Sequence, residues 1–222
     1  MKEELIVFNS PKSRMSEAIK TIRTNLQFSS IDKEIKVILL TSSMPGEGKS
    51  FISSNLACAF AAVDKKVLLI DCDLRRGRQH KIFGVSNNKG LSNLLISNID
   101  SFDKYIQGTH IPNVSILPMG VLPPNPSELL GSSKNKNLIN KLKDKYDIII
   151  LDCPPVSGLA DTVTMTTVSD AVVLVSSVNK LPAELLEKSK KTLEQVNAPL
   201  AGVIINNVED GKNAHYYDSY YN

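Results

Sequence analysis

Tryptophan is absent from these 222 residues, and cysteine occurs three times, at Cys58, Cys72 and Cys153. An odd number of widely spaced cysteines with no CxxC pair supports neither a secreted disulfide framework nor a zinc site, so a reducing compartment is expected. His80, His110 and His215 make no metal spacing with them and read as structural or exposed. The net charge is only +3, too small for attraction to phosphate backbones to be the main business of the surface, so nucleic acid is not expected as a partner. No stretch approaches the roughly 18 continuous apolar residues of a membrane span. Met1-Lys2-Glu3-Glu4-Leu5-Ile6 lacks the basic start and apolar core of a signal peptide. The expected location is therefore the cytoplasm, with any membrane association made through a partner.

With 42% hydrophobic and 22% charged residues, the chain has the balance of a soluble folded domain. Short β-branched runs at Val37–Thr41, Val67–Ile70, Val114–Leu117, Ile148–Leu151, Ala171–Val175 and Gly202–Ile205 read as buried strands. Stretches of helical periodicity lie between them, at Lys49–Val63, Leu138–Lys145 and Pro182–Val196. This alternation predicts an α/β fold, a mostly parallel β-sheet flanked by helices on both faces. Ahead of the first strand, Met15, Ile19, Ile22 and Leu26 form one apolar stripe of an amphipathic helix over residues 13–29. Pro123-Pro124-Asn125-Pro126 reads as an extended or turning connection. The apolar pattern stops at Val208, so one domain over 1–208 and a mobile tail over 209–222 are expected.

Ser43-Met-Pro-Gly46-Glu-Gly48-Lys49-Ser50 stands between a predicted strand and an apolar helix, the setting of a P-loop. Its glycines let backbone N–H groups and the helix start face phosphate oxygens. The Lys49 ammonium then reaches the terminal phosphates and Ser50 Oγ ligates magnesium. Ser43 replaces the first glycine of the strict pattern; Gly46, Glu47, Gly48, Lys49, Ser50 and Phe51 are the expected nucleotide contacts. Two further strands end in Asp71-Cys-Asp73-Leu-Arg75 and Asp152-Cys-Pro-Pro155. A lone strand-end aspartate commonly caps a helix or turn. Three at the carboxyl ends of parallel strands, beside a phosphate loop, call for a cation. Asp152 fits the acid that holds magnesium, and Asp71 with Asp73 share metal positioning and activation of the attacking group.

Four of the six tyrosines, Tyr216, Tyr217, Tyr220 and Tyr221, crowd the last seven residues, where no apolar framework buries them. They read as phosphate acceptors, because a phenol that ionises near pH 10 needs a carboxylate to take its proton and magnesium to offset charge. The alternative is an aromatic binding tail, although no basic residues interleave with the rings as a nucleic-acid groove would require. Arg75, Arg76 and Arg78 directly follow the acids and suit phosphate or a neighbouring subunit's carboxylates. The lysines at 134, 136, 141, 143 and 145 read as a solvated helix face.

These motifs together resemble the bacterial tyrosine kinases of capsular and exopolysaccharide synthesis. The likeness is carried by Gly48-Lys49-Ser50, Asp71-Cys-Asp73-Leu-Arg75, Pro123-Pro-Asn-Pro-Ser-Glu-Leu-Leu130, Asp152-Cys-Pro-Pro155 and the terminal tyrosines. Cell-division and plasmid-partition ATPases look similar over the core, but carry an extra lysine early in the loop, where this chain has Ser42-Ser43-Met44-Pro45. The resemblance implies a P-loop kinase fold, ATP and Mg2+ as cofactors, and autophosphorylation of the tail. It implies Asp71 and Asp73 as an extra Walker motif, Asp152 as Walker B, and Asn206 as an adenine contact. It also implies a ring of identical subunits built through Glu17, Lys20 and Arg23, with lysine standing where the family has arginine and so losing a two-pronged donor. A separate membrane-anchored activator, a polysaccharide co-polymerase, would recruit the chain, and other proteins of polysaccharide synthesis would be substrates. Two other readings stay open on the residues: an ATPase switch that hydrolyses without transfer, and a nucleotide-bound scaffold of the export machinery.

Overall fold

The computed structural model describes residues 4–29, 34–97, 101–157, 160–178 and 182–208. The tail tyrosines and the connections at 30–33, 98–100, 158–159 and 179–181 lie outside the described residues. Six parallel strands, β1 (Val37–Ser42), β2 (Val67–Asp71), β4 (Val114–Leu117), β5 (Ile148–Asp152), β6 (Ala171–Ser177) and β7 (Leu200–Asn206), form one sheet. The short β3 (Gln107–Gly108) joins its edge antiparallel to β4, giving the order β3-β4-β2-β5-β1-β6-β7. The expected α/β class and the six core strands are present.

Side chains alternate across a strand, and the central strands feed two cores. Val37 and Leu39 of β1 pack on one face, and Ile38 and Leu40 on the other. Helix α1 (Ile6–Asn9), α2 (Arg14–Phe28) and α3 (Lys49–Ala61) belong to the second face, while α5 (Leu91–Ile96), α7 (Ser133–Lys143) and α9 (Ala183–Gln195) contribute to the first. Every α3 residue except Phe51 is buried. A helix that is apolar all round belongs in the interior, and its polar members are satisfied there. Ser53 Oγ donates to Lys49 O (2.8 Å), and Asn55 Nδ2 donates to Glu4 O (2.7 Å) while Asn55 Oδ1 accepts from Val7 N (3.0 Å).

Three expectations are corrected. Met15 is 42% exposed, and its place on the buried stripe of α2 goes to Ser16, whose Oγ donates to Ile6 O (3.1 Å) and Ser10 O (2.7 Å). The connection around Pro123 ends in a helix, α6 (Pro126–Gly131), whose first position tolerates proline because its N–H would be unpaired in any case. The helix expected at Leu138 starts five residues earlier, where Ser132 Oγ caps it by accepting Asn135 N (3.2 Å). Two further short helices, α4 (Gln79–Phe83) and α8 (Ala160–Thr166), occupy stretches where the apolar pattern is too brief to announce them.

The strand order decides where chemistry collects. β5 lies between β2 and β1, with Asp71 paired in register with Asp152, and Leu40 of β1 also opposite Asp152. The carboxyl ends of β1, β2 and β5 therefore form one edge, where open parallel sheets bind ligands.

Candidate active site

After β1 the chain turns through Ser43–Gly48 into α3. Gly46 (φ +83°) and Gly48 (φ +95°) adopt left-handed conformations that other residues enter only at a cost. A Cβ at Gly46 would meet nothing within 4 Å, whereas one at Gly48 would lie 2.1 Å from Asn206 Nδ2. The loop is tied from behind. Glu47, 1% exposed, accepts Met44 N on Oε2 (2.7 Å) and Ser177 N on Oε1 (3.3 Å), and Asn206 Nδ2 donates to Glu47 O (3.0 Å). The Glu47 carboxylate thus shapes the loop instead of lining the cleft, and the Asn206 amide braces the loop from the end of β7.

Lys49 Nζ lies 3.2 Å from Asp73 Oδ2, 3.6 Å from Asp152 Oδ1 and 3.4 Å from Ser50 Oγ. Burial opposes its charge, but Asp152, Asp73 and Asp71 outweigh that cost and hold the ammonium protonated, above the ordinary lysine range. The two members of the Asp71-Cys-Asp73 motif differ. Asp73 borders the open cleft and orders the following turn, accepting Arg76 N (2.9 Å) and Arg75 N (3.4 Å) on Oδ1. Asp71 is fully buried, accepts Gln79 N (3.0 Å) and Asp73 N (3.3 Å), and leaves so little space that a Cβ on Gly77 would meet its oxygens at 2.6 Å. Burial and the neighbouring Asp152 charge push the Asp71 carboxyl well above the usual range, against the pull of Gln79 N–H and Lys49.

Gln79 is the residue that sequence reasoning missed. Its Nε2 donates to Asp152 Oδ2 (2.7 Å) and to Ser50 O (3.0 Å), joining the end of β5 to the first turn of α3. No motif marks it, because the structure asks only for an amide of that length. Asp161 was missed for the same reason: fully buried at the start of α8, it accepts Arg75 Nε (3.0 Å) and the hydroxyl of Ser127. That contact connects the Pro-Asn-Pro-Ser segment to the turn after Asp73.

The cleft has a volume of about 410 Å3 and is lined by Pro45, Gly46, Gly48, Lys49, Ser50, Phe51, Asp73, Arg75, Arg76, Arg78, Pro154, Pro155 and Ser157. A cavity of similar size, about 430 Å3, lies against α5 and α7 around Leu94, Phe102 and Asn137, but brings no carboxylate together with a phosphate loop. Among the described residues no group of three acids, histidines or thiols would hold a metal ion by itself. Magnesium usually needs only one or two carboxylates, with phosphate and water completing the shell. Two observations fit such a guest: the left-handed glycine cradle, and the buried Gln79 Oε1 and Ser43 Oγ, which find no hydrogen-bond partner among the described residues. The three thiols are free and buried; burial pushes Cys58 up to about 12, and burial with the Cys153 hydrogen bond pushes Cys72 up, so neither is a nucleophile.

Comparison with known proteins decides the family. The AAA_31 family, described as an AAA domain, matches residues 35–204. Tyrosine-protein kinase YwqD of Bacillus subtilis (strain 168) is 39% identical over 216 residues, covering 97% of this chain and 91% of the relative. The chain belongs to the bacterial tyrosine-protein kinases. Solved structures agree. The chimerical protein CapA2B2 superposes with a TM-score of 0.90 at 38% identity, over 94% of this chain and 91% of that one. The kinase domain of Escherichia coli tyrosine kinase ETK gives 0.86 at 33% identity, over 93% and 82%.

Within the kinase, Lys49, Ser50, Asp73 and Asp152 come together as the sequence anticipated, with Asp71 behind them. Glu17, Lys20 and Arg23 lie on α2, with Lys20 Nζ bonded to Glu17 Oε1 (2.7 Å) and Pro11 O (2.7 Å), and Arg23 Nη1 to Ala59 O (3.1 Å). Of the arginines at the cleft, Arg75 pairs with Asp161 and Arg78 with Glu4 (2.7 Å). Among the described residues no helix is long and apolar enough to cross a membrane.

Proposed function

We propose that this kinase binds ATP with Mg2+ at the P-loop and phosphorylates the tyrosines at 216, 217, 220 and 221 of a neighbouring copy within a ring. Lys49 grips the terminal phosphates, while Ser50 and Asp152 would hold the magnesium ion, which would supply charge neutralisation at the transferring group. The phenolic oxygen attacks the γ-phosphorus in line, the bond to the β,γ-bridging oxygen breaks, ADP departs and the phenolic proton passes to Asp73. Asp71 positions Asp73 and Gln79 from below. Glu17, Lys20 and Arg23 would exchange their internal partners for those of an adjoining subunit. Each phosphotyrosine then adds up to about −2 charge and loosens the ring by repulsion.

The observation that carries this reading is the convergence of Lys49, Asp73 and Asp152 within 3.6 Å contacts beside an open cleft. A membrane-anchored activator as recruiting partner, and capsular or exopolysaccharide synthesis as the process served, follow from the family resemblance. Incubation with γ-labelled ATP, Mg2+ and an activating segment, followed by phosphopeptide mapping, is expected to place label on residues 216–221, and Lys49→Met abolishes it. Label confined to free phosphate would refute transfer to the tail, and equal masses of phosphorylated and unphosphorylated chains by light scattering would refute the ring.

A further inference from the structure

Three guanidinium groups crowd the turn after Asp73, and they are not equivalent. Arg75 is held by Asp161 through Nε (3.0 Å) and Nη2 (3.5 Å), which leaves its outer donors facing away from that partner. Arg78 pairs with Glu4 at 2.7 Å. Arg76 is exposed and lines the cleft, and among the described residues no carboxylate pairs with its side chain. Its backbone is fixed all the same, because Arg76 N donates to Asp73 Oδ1 at 2.9 Å. The residue whose cation is unspent is thus anchored to the carboxylate that faces Lys49.

We propose that Arg76, aided by the outer edge of Arg75, reads a carboxylate adjacent to the target tyrosine, so that the site selects acidic tyrosine peptides. The inference rests on the tail being the acceptor. A phenol delivering its proton to Asp73 brings its own backbone neighbours past residues 75 and 76, since consecutive Cα atoms are about 3.8 Å apart and an extended arginine reaches farther than that. The tail supplies the matching charge. Tyr217 is followed directly by Asp218, and residues 209–222 carry three carboxylates against one lysine, a net −2, while the whole chain carries +3. Phosphates of the nucleotide already have the loop N–H groups and Lys49 as partners, which leaves Arg76 for the peptide.

The test uses the full chain with Mg2+, ATP and the activating segment, and peptides spanning residues 211–222 in which Tyr217 is the sole tyrosine and position 218 is Asp, Asn or Lys. Phosphopeptide is read by mass. The expected result is a peptide KM about fivefold higher for Lys than for Asp with kcat nearly constant, the size of an exposed charge-assisted contact. Arg76→Glu inverts the ranking and Arg76→Gln erases it. An unchanged ranking in both variants overturns the inference, as does an effect confined to the KM for ATP, which would give the guanidinium to the nucleotide. If wild type phosphorylates the three peptides alike, the selection fails while the tail reading stands. If it phosphorylates none, both fall, and anisotropy of the labelled peptides with each variant shows whether even binding ranks them.

Discussion

Gln79→Leu isolates a support that no motif reveals. The wild-type amide makes two bonds in a region closed to water, to Asp152 Oδ2 at 2.7 Å and to Ser50 O at 3.0 Å. A hydrogen bond to a charged group is worth about 1.5–3 kcal/mol and a neutral one about 1 kcal/mol. Ser50 O also accepts from Ser54 Oγ (2.9 Å), so losing the amide does not orphan it, and that bond counts at the low end. Among the described residues Asp152 Oδ2 has no alternative of that quality, since Ser53 Oγ and Lys49 address Oδ1 at 3.4 and 3.6 Å. The buried Gln79 Oε1, unpaired in the wild type, disappears with the substitution and returns about 1 kcal/mol. The expected net loss is about 2 kcal/mol.

Urea denaturation followed by circular dichroism reads that loss, and nucleotide affinity measured with Mg2+ and with EDTA reads the consequence at the site. An Asp152 no longer held from behind should weaken the gain in affinity that magnesium confers. Gln79→Met, similar in length and equally unable to donate, should match Leu; a loss in Leu alone would mean shape. Stability within about 0.5 kcal/mol of wild type, the range of an ordinary surface change, together with an unaltered magnesium effect would refute the argument.

Gly48→Ala forces a left-handed φ on a residue with a side chain and sets its Cβ 2.1 Å from Asn206 Nδ2; the strain alone costs about 1 kcal/mol, so ATP should bind at least about fivefold more weakly in a titration, and unchanged affinity would dismiss the cradle. Asp71→Asn tests the raised carboxyl. The folded chain retains a proton that an unfolded aspartate releases near pH 3.9, so wild-type stability falls as pH climbs from about 4 toward the folded value; the variant should show a flatter urea-stability profile, and an identical slope would assign the effect elsewhere. Asp161→Asn should loosen the turn that Arg75 anchors, seen as faster tryptic cleavage after Arg75 or Arg76 with unchanged helix content; an unaltered rate would deny Asp161 that role.

What could be read from the chain divides by the kind of demand each position meets. Lys49, Ser50, Asp73 and Asp152 are the residues proposed to meet phosphate and metal, and only one or two residue types serve there, so their spacing after strands is recognisable. Glu47, Gln79, Gly77 and Asp161 face other protein groups. A donor of the right reach, or an empty space, satisfies those demands, and the partners come from positions 3 to 159 residues away. The strands were legible as short β-branched runs, and β1, β2, β5 and β6 are buried along their whole length, whereas the run expected to be buried at Gly202–Ile205 lies in the edge strand β7, which exposes Val203 and Ile205. Met15 was misplaced because periodicity ranks residues by hydrophobicity, while α2 buries Ser16 to meet the carbonyls of Ile6 and Ser10. The short helices α4 and α8 turn too few times to show a period.

Charge balance connects the hidden supports to the visible motif. Asp71, Asp73 and Asp152 share one nearby ammonium, that of Lys49. One cation cannot offset three buried anions, and the deficit falls on Asp71, the member with the least solvent and with Asp152 as its neighbour. Gln79 and the backbone N–H groups supply partial positive charge without adding an ion, which keeps Asp152 in place. A dication would meet the remaining deficit, and a polyphosphate would then give Lys49 a new partner. The same electrostatic shortage that costs the fold stability would therefore be the source of the proposed affinity for magnesium and nucleotide, and substitutions that relieve it should stabilise the chain while weakening that binding.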